Sequence, residues 1–507
     1  MIDYIYNHVC RVTDMVFLIL FIMKSRGYYF RKFVFGMLLC ASVSFFVSCS
    51  KDEEPDSRAE VDNVTQLVNR FVLMYNEYYY LWNNKINYDN KDPRYIEDPF
   101  ALFDSLIYKD LDIWSYLTND ANALFDSYNG VETAYGYRLV VARTSDEAVA
   151  KCIAVVKFVY PGSPAEKAGI KRGDVLCKMN GSYITTENYL DLYYSSSIEL
   201  KFGEYSAKDN TIYELDKTVS LTASKFNIDA VNAWSVIELG THKIGYICYT
   251  DYVESSHEKL AQICADFKSR KVTDVILDLR YNPGGAAASA AYLSSLFVPK
   301  SVLDRKGVFL KQIWNSNLTN YLTSEGTSLT TTFNALAANY NLNLSRIFVL
   351  TTSGTASASE ATIVGLAPYM NVVRIGSTTH GKYCGALLLR AVDKDGDVIS
   401  LIDNWAMSLV VYKFANNSGY TDFTGGLAPD YEVEDNLFGT YPLGNVNDPL
   451  IAKAVELITG ITQNAAANSQ SVKSSSGVLQ KDGGFTILKD ETNRLNSRRG
   501  GFVELAN

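Results

Sequence analysis

At 507 residues the chain is too long for one ordinary hydrophobic core and corresponds to about three domains of usual size. A net charge of −9 supplies no basic field, which argues against a partner held by its phosphate backbone and so against nucleic acid. With 47% hydrophobic and 13% aromatic residues, the composition is that of a globular protein.

The N-terminal fifty residues differ from the rest. Lys24, Arg26, Arg31 and Lys32 precede the apolar run FVFGMLLCASVSFFV, after which SCSKDEEPDS turns polar. A positive region, an apolar core and small residues at its end describe a secretory signal over residues 1–48, with translation expected to start at Met23. The core is shorter than the roughly 20 apolar residues a membrane span needs. Phe46-Val47-Ser48-Cys49 resembles a bacterial lipobox, which implies a lipid on Cys49. Ser50 and the acids behind it resemble the signals of outer-membrane or surface lipoproteins. The expected location is therefore the cell envelope, with the membrane reached through a lipid anchor and residues 49–62 as a polar tether.

Residues 63–128 space apolar side chains three and four apart, as in VTQLVNRFVLMYNEYYYLW, and predict a small N-terminal helical domain. Residues 129–224 follow. Their stretch PGSPAEKAGIKRGDVLCKMNG combines a short helix opened by Ser163 with the turn signals Gly173-Asp174 and Asn180-Gly181. It closely resembles a PDZ domain of the kind found in bacterial proteases. Such a domain takes an extended peptide as an added strand and holds its terminal carboxylate on backbone amides. The resemblance makes Tyr135, Gly136 and Tyr137 the carboxylate cradle, with Gly136 allowing close backbone approach. A bland alternative is that this domain only stiffens the molecule.

Residues 225–462 alternate strand and helix. THKIGYICYTDYV and TDVILDLRYNPGG read as strands, AAASAAYLSSLFV as a helix, RIFVLTT as a strand, SASEATIVGLAPY as a helix and NVVRIGS as a strand before a loop. That alternation indicates an α/β core. Residues 463–507 are polar and poor in large apolar side chains, so a flexible tail is expected. With the signal and Cys49 set aside, cysteines 152, 177, 248, 264 and 384 remain, dispersed as buried free thiols would be. No CxxC occurs, and SSHEKLA lacks the second histidine of a zinc helix, so no metal and no cofactor are expected.

DLRYNPGG, SGTASASE and GSTTHGK occur in that order behind the PDZ-like stretch. The combination resembles the C-terminal processing (tail-specific) peptidases, the S41 serine endopeptidases with a ClpP/crotonase-like core. The resemblance spans about residues 63–460 and includes GGLAPDYEV. It implies that Ser357 is the nucleophile and that Lys382, 25 residues later, is its base. It also implies an oxyanion hole from Gly284 and Gly285, and the unsatisfied first-turn amide of Ala358 suits the same task.

The chemistry is consistent on its own terms. A serine hydroxyl needs an adjacent base, and a lysine serves only when neutral. Its free pKa of about 10.4 must therefore fall by roughly three units, which burial away from acids can do. STTHGKYCGALLL contains no acid.

Taken alone, Ser357 would be an ordinary helix cap. Two positions also depart from the family pattern. Ala386 stands where a glutamine often orients the lysine, and His380 stands where an aromatic residue is common. In an extended loop His380 and Lys382 share a side, which makes His380 an auxiliary candidate, against the plainer reading of an exposed loop histidine. The reading is thus an α/β multidomain serine endopeptidase acting on polypeptide substrates, with PDZ-assisted recruitment. The alternatives are a catalytically silent peptide-binding scaffold and, more remotely, an acyl-CoA-handling crotonase relative. Oligomeric state is not legible.

Overall fold

The computed structural model describes residues 58–145, 147–206, 211–435 and 441–461, with four short strands beyond them: Ser474–Ser475, Val478–Leu479, Thr486–Asp490 and Phe502–Leu505. The expected signal, Cys49 and the tether to residue 57 lie outside the described residues.

Two six-stranded sheets form the central body. In the first, the strands run in the order Val231–Leu239, His242–Tyr249, Asp274–Asp278, Arg346–Thr351, Asn371–Gly376 and Tyr431–Glu432. All its pairs but the first are parallel. Parallel strands covered on both faces read as unbroken apolar runs, and Asp274–Asp278 is buried along its whole length. The helices Ala287–Phe297 and Ala358–Leu366 follow two of these strands. Every residue of the second is buried, and at Gly365 a Cβ would come within 2.2 Å of the Phe309 ring, so only glycine fits there.

The second sheet is mixed. It runs Thr330–Thr332, Val308–Trp314, Ala406–Ala415, Cys384–Arg390 and Phe502–Leu505, and Tyr116–Thr118 is added on Ala406–Ala415. This last pairing corrects the expected separate N-terminal domain. The helices Asn63–Tyr79, Pro99–Ser105 and Ala121–Tyr128 do form. However, Val68, Phe71 and Tyr80 belong to the same apolar cluster as Leu277, Val349 and Val410. Leu81 N–H also donates to Val410 O at 3.0 Å, and Asn315 Nδ2 donates to the carbonyls of Tyr78 and Tyr80 at 2.9 Å each. Helical periodicity identifies an apolar face but not what that face meets.

A third, seven-stranded sheet is built largely from residues 137–222. Its core includes Leu139, Val141, Ala154, Val156 and Leu176, the inward alternate positions of antiparallel strands. Val131–Ala134 pairs with Ser224–Asn227 and closes the two ends of this unit against each other. Within the stretch expected to be a flexible tail, two of the described strands pair with these sheets. The strand Thr486–Asp490 joins this third sheet, and Phe502–Leu505 joins the second sheet of the body. FTILKD and FVEL are short β-forming islands inside a stretch whose average composition is polar.

Candidate active site

The strand Arg346–Thr351 ends in a turn that delivers Ser357 to the start of the helix Ala358–Leu366. Several other helix caps of this molecule are extended, among them Asp62 (φ −62°, ψ 160°), Ser163 (−73°, 164°) and Asn315 (−63°, 166°). Ser357 instead has φ +58° and ψ −106° and is fully buried. A non-glycine residue there costs about 1–3 kcal/mol and persists only where its surroundings enforce it. They do so here. Ser357 N–H donates to Glu360 Oε2 at 2.7 Å, and Ala361 N–H donates to Ser357 O at 2.7 Å. Ala356 N–H and Ser359 Oγ both donate to Asn282 O at 3.1 Å.

Glu360, a residue given no role from sequence, joins the two halves of the site. Its Oε2 also accepts Lys382 N–H at 2.9 Å, and its Oε1 accepts Gly381 N–H at 2.6 Å and Thr379 Oγ1 at 2.5 Å. The backbone nitrogens of Ser357 and Lys382 therefore share one oxygen atom. Burial pushes the Glu360 carboxyl up to about 7 against these four hydrogen bonds, which favour its charged form. The S-x-x-E spacing of a capping box was the available signal for it.

Lys382 is fully buried, and its Nζ has no hydrogen-bond partner among the described residues. Nζ lies 5.4 Å from the centre of the Trp114 ring. Burial pushes the ammonium down to about 8, partly offset by Cys384, Asp112 and Glu360 nearby. Asp112 and Trp114 come from the N-terminal region and were not foreseen; a periodicity reading treats DLDIW as one more apolar stretch. Gly381 precedes the lysine with φ +95°, where an added Cβ would lie 2.5 Å from Thr424 O.

His380 is half-buried rather than exposed, which corrects the plainer reading of it. Its N–H donates to Thr355 O at 3.0 Å, and burial, then the Lys382 charge, push its imidazole down to about 4, so it is neutral at pH 7. Ala386 is buried with Leu124, Leu388 and Ala406, in an apolar cluster that offers the lysine nothing polar.

Of the three expected oxyanion donors, one needs correction. Gly284 N–H already donates to Asn282 Oδ1 at 2.8 Å. What Gly284 provides is proximity: with φ +108°, a Cβ on it would stand 3.0 Å from Ser357 Cβ and from Ala358 N. The amides of Ala358 and Gly285 have no acceptor among the described residues. Gly285 adopts φ +138° against Tyr252, whose carbonyl oxygen would be 2.3 Å from an added Cβ.

In the third sheet, Tyr135 and Tyr137 are buried and donate their hydroxyls to Ser195 O (2.5 Å) and Leu192 O (2.6 Å). Gly136, at φ +89°, lies close against Ser163, whose Cβ would be 2.1 Å from an added Cβ. This unit reaches the site through Arg172, which hydrogen-bonds Lys157 O (2.9 Å), Asp435 (3.0 Å) and the hydroxyl of Tyr281, the residue before Asn282. No group of three or more metal-ligating side chains occurs among the described residues.

Residues 243–433 match the family model described as Peptidase family S41, and residues 155–202 match that of a PDZ domain. The chain is 28% identical over 277 residues to the carboxy-terminal processing protease CtpA of Bacillus subtilis (strain 168), covering 54% of this chain and 52% of that protein. It is 26% identical over 291 residues to the chloroplastic carboxyl-terminal-processing peptidase 2 of Arabidopsis thaliana, covering 55% and 49%. It thus spans about half the length of the curated relatives it matches. A crystal structure assigned to the S41 proteases, from Bacteroides fragilis NCTC 9343, superposes with TM-score 0.64 at 26% identity, covering 78% of this chain and 98% of that one.

Proposed function

We propose that this protein is a serine endopeptidase that cleaves protein tails or unfolded polypeptides through a Ser357/Lys382 dyad on a ClpP/crotonase-like core. The observation that carries the reading is Lys382 itself: a dry, unpartnered amine whose backbone shares a carboxylate oxygen with the backbone of Ser357. With its pKa near 8, about a tenth of the lysine is neutral at pH 7.

Neutral Lys382 takes the Ser357 proton as Oγ attacks the scissile carbonyl carbon. The oxyanion meets the amides of Ala358 and Gly285, donors of a kind worth about 3 kcal/mol each. The resulting ammonium protonates the departing amine, leaving an acyl-enzyme. Lys382 then deprotonates the water that releases the acid.

The PDZ unit recruits the substrate as an added strand beside Tyr137–Arg143. A lipid on Cys49 holds the protein at the outer membrane, which mass spectrometry of the mature N-terminus tests. The full-length protein should cleave an unfolded substrate. Ser357→Ala and Lys382→Ala should each lower kcat by at least about 10³-fold with an unchanged circular dichroism spectrum. A second reading, a silent peptide-binding scaffold, draws on Ala386, which leaves the lysine without its usual polar neighbour. Peptide binding with no turnover on any of several substrates would select it.

A further inference from the structure

The tail strands lie on two particular edges. Thr486–Asp490 pairs antiparallel with Tyr137–Arg143, with Thr486 opposite Arg143 and Asp490 opposite Val140. The tail therefore runs toward the 135–137 loop, the polarity with which a PDZ site accepts a peptide. Phe502–Leu505 pairs in parallel with Cys384–Arg390, with Phe502 opposite Gly385 and Leu505 opposite Leu388. That partner strand starts two residues after Lys382, and its Leu388 lines the same small cavity as Gly284, Gly285 and Tyr252. Phe502–Leu505 also runs with its backbone near the helix Ala287–Phe297, which begins two residues after Gly285.

Without the tail, Tyr137–Arg143 and Cys384–Arg390 would each keep one partner and present one open edge. Open edges are templates for an incoming strand. The sequence supports a shared purpose, because the two tail strands sit in a repeated phrase, GGFTILKD at 483–490 and GGFVELAN at 500–507. In each, a pair of glycines stands just before an aromatic and β-forming run in the sequence.

We propose that the C-terminal tail is an internal peptide ligand that holds the enzyme closed. Thr486–Asp490 fills the PDZ peptide edge and Phe502–Leu505 fills the edge beside the dyad, so a polypeptide substrate must displace both. The second half of this proposal rests on the function proposed above; the first does not.

Hydrogen exchange on the full chain carrying Ser357→Ala reads the docking directly. Amides of residues 486–490 and 502–505 should exchange at least about 100-fold more slowly than in a free peptide. Exchange at the free-peptide rate overturns the proposal, as does protection that grows with protein concentration, which would put the tail on a second copy. A labelled GGFTILKD peptide supplies an independent arm. Full-length protein with Ile487→Pro and Val503→Pro, whose prolines cannot join a ladder, should bind it about 10-fold more tightly than the unsubstituted chain does. Equal affinity overturns the proposal. With Ser357 intact, the same double variant should cleave an unfolded protein about 10-fold faster. If neither form cleaves anything while protection and the affinity gap are both found, the hydrolase reading falls and the tail docking stands.

Discussion

In the proposed mechanism, the burial that would make a lysine a base also destabilises its charged form. The Lys382 ammonium has a pKa lowered from 10.5 to about 8, so the folded protein holds fewer protons than the unfolded chain between those values. Stability therefore rises with pH through that window, and the contribution is lost as pH falls through about 8. On the proposed mechanism the neutral form acts as the base, so kcat/KM should climb through about pH 8 and level off above it, as a pH–rate profile will show. Lys382→Met, which keeps the volume and drops the charge, should abolish activity while raising stability at pH 6 by about 1–3 kcal/mol in urea unfolding. A purely structural lysine would give a loss of stability instead. Glu360 makes the opposite case. Each of its oxygens accepts two donors. In Glu360→Gln the amide NH2 must face two of those donors, so we expect a stability loss of about 2–4 kcal/mol and at least a 100-fold fall in kcat. An active, fully stable Glu360→Gln protein would remove Glu360 from the organisation of the dyad.

At the scale of elements, the dryness of the site is a joint product of the loop ahead of Cys384–Arg390 and the segment that leads into Tyr116–Thr118. Asp112 anchors that segment by accepting the N–H groups of Trp114 and Ser115 at 2.9 Å each, and Trp114 lies edge-on to Tyr383, their centres 6.4 Å apart. Trp114→Ala should admit water to Nζ and move the acid limb of the pH–rate profile upward, toward the free lysine value, by about one unit. An unmoved limb would mean that the ring packs against the lysine without shielding it. This segment also shows where sequence reading stopped. Buried parallel strands such as Asp274–Asp278 and the helix at 358 follow from unbroken apolar runs and periodicity, and the order of DLRYNPGG, SASE and THGK located the candidate dyad. Trp114 and Asp112 reach Lys382 across some 270 residues of sequence, and no local pattern encodes such a contact. The Asn282 side chain likewise takes the Gly284 amide, a hydrogen-bonding detail that a strand-turn-helix reading does not resolve.

Across the whole molecule, the PDZ unit and the central body meet in a buried charge network set beside apolar contacts, with Phe158 of the PDZ unit stacked on Tyr281 of the body, their centres 5.9 Å apart. Arg172 from the PDZ unit and Arg280 from the body both reach Asp435 at 3.0 Å, and Arg280 also pairs with Asp278 and with Asp448. Despite burial, which would raise it, Arg172 and Arg280 hold the Asp435 carboxyl down to about 2. Tyr281 donates its hydroxyl to the same carboxylate and receives Arg172. It is followed directly by Asn282, whose side chain holds both Tyr249 O at 2.9 Å and the Gly284 amide at 2.8 Å. A shift of the PDZ unit thus has a continuous path to the turn beside Ser357. In Arg172→Ala, Asp435 keeps Arg280 and Tyr281, so the stability cost should be modest, about 1–3 kcal/mol. The catalytic cost separates two roles. If Arg172 only helps the PDZ unit to capture substrate, KM rises for long polypeptides, and short peptides that cannot reach the PDZ edge are cleaved as before. If it holds the turn, kcat falls about 10-fold for long and short substrates alike. Because Arg172 contacts Tyr281 and not the peptide edge, the second pattern is expected. Arg172→Lys should not restore kcat, since an ammonium cannot span Lys157 O, Tyr281 and Asp435 with one rigid fork.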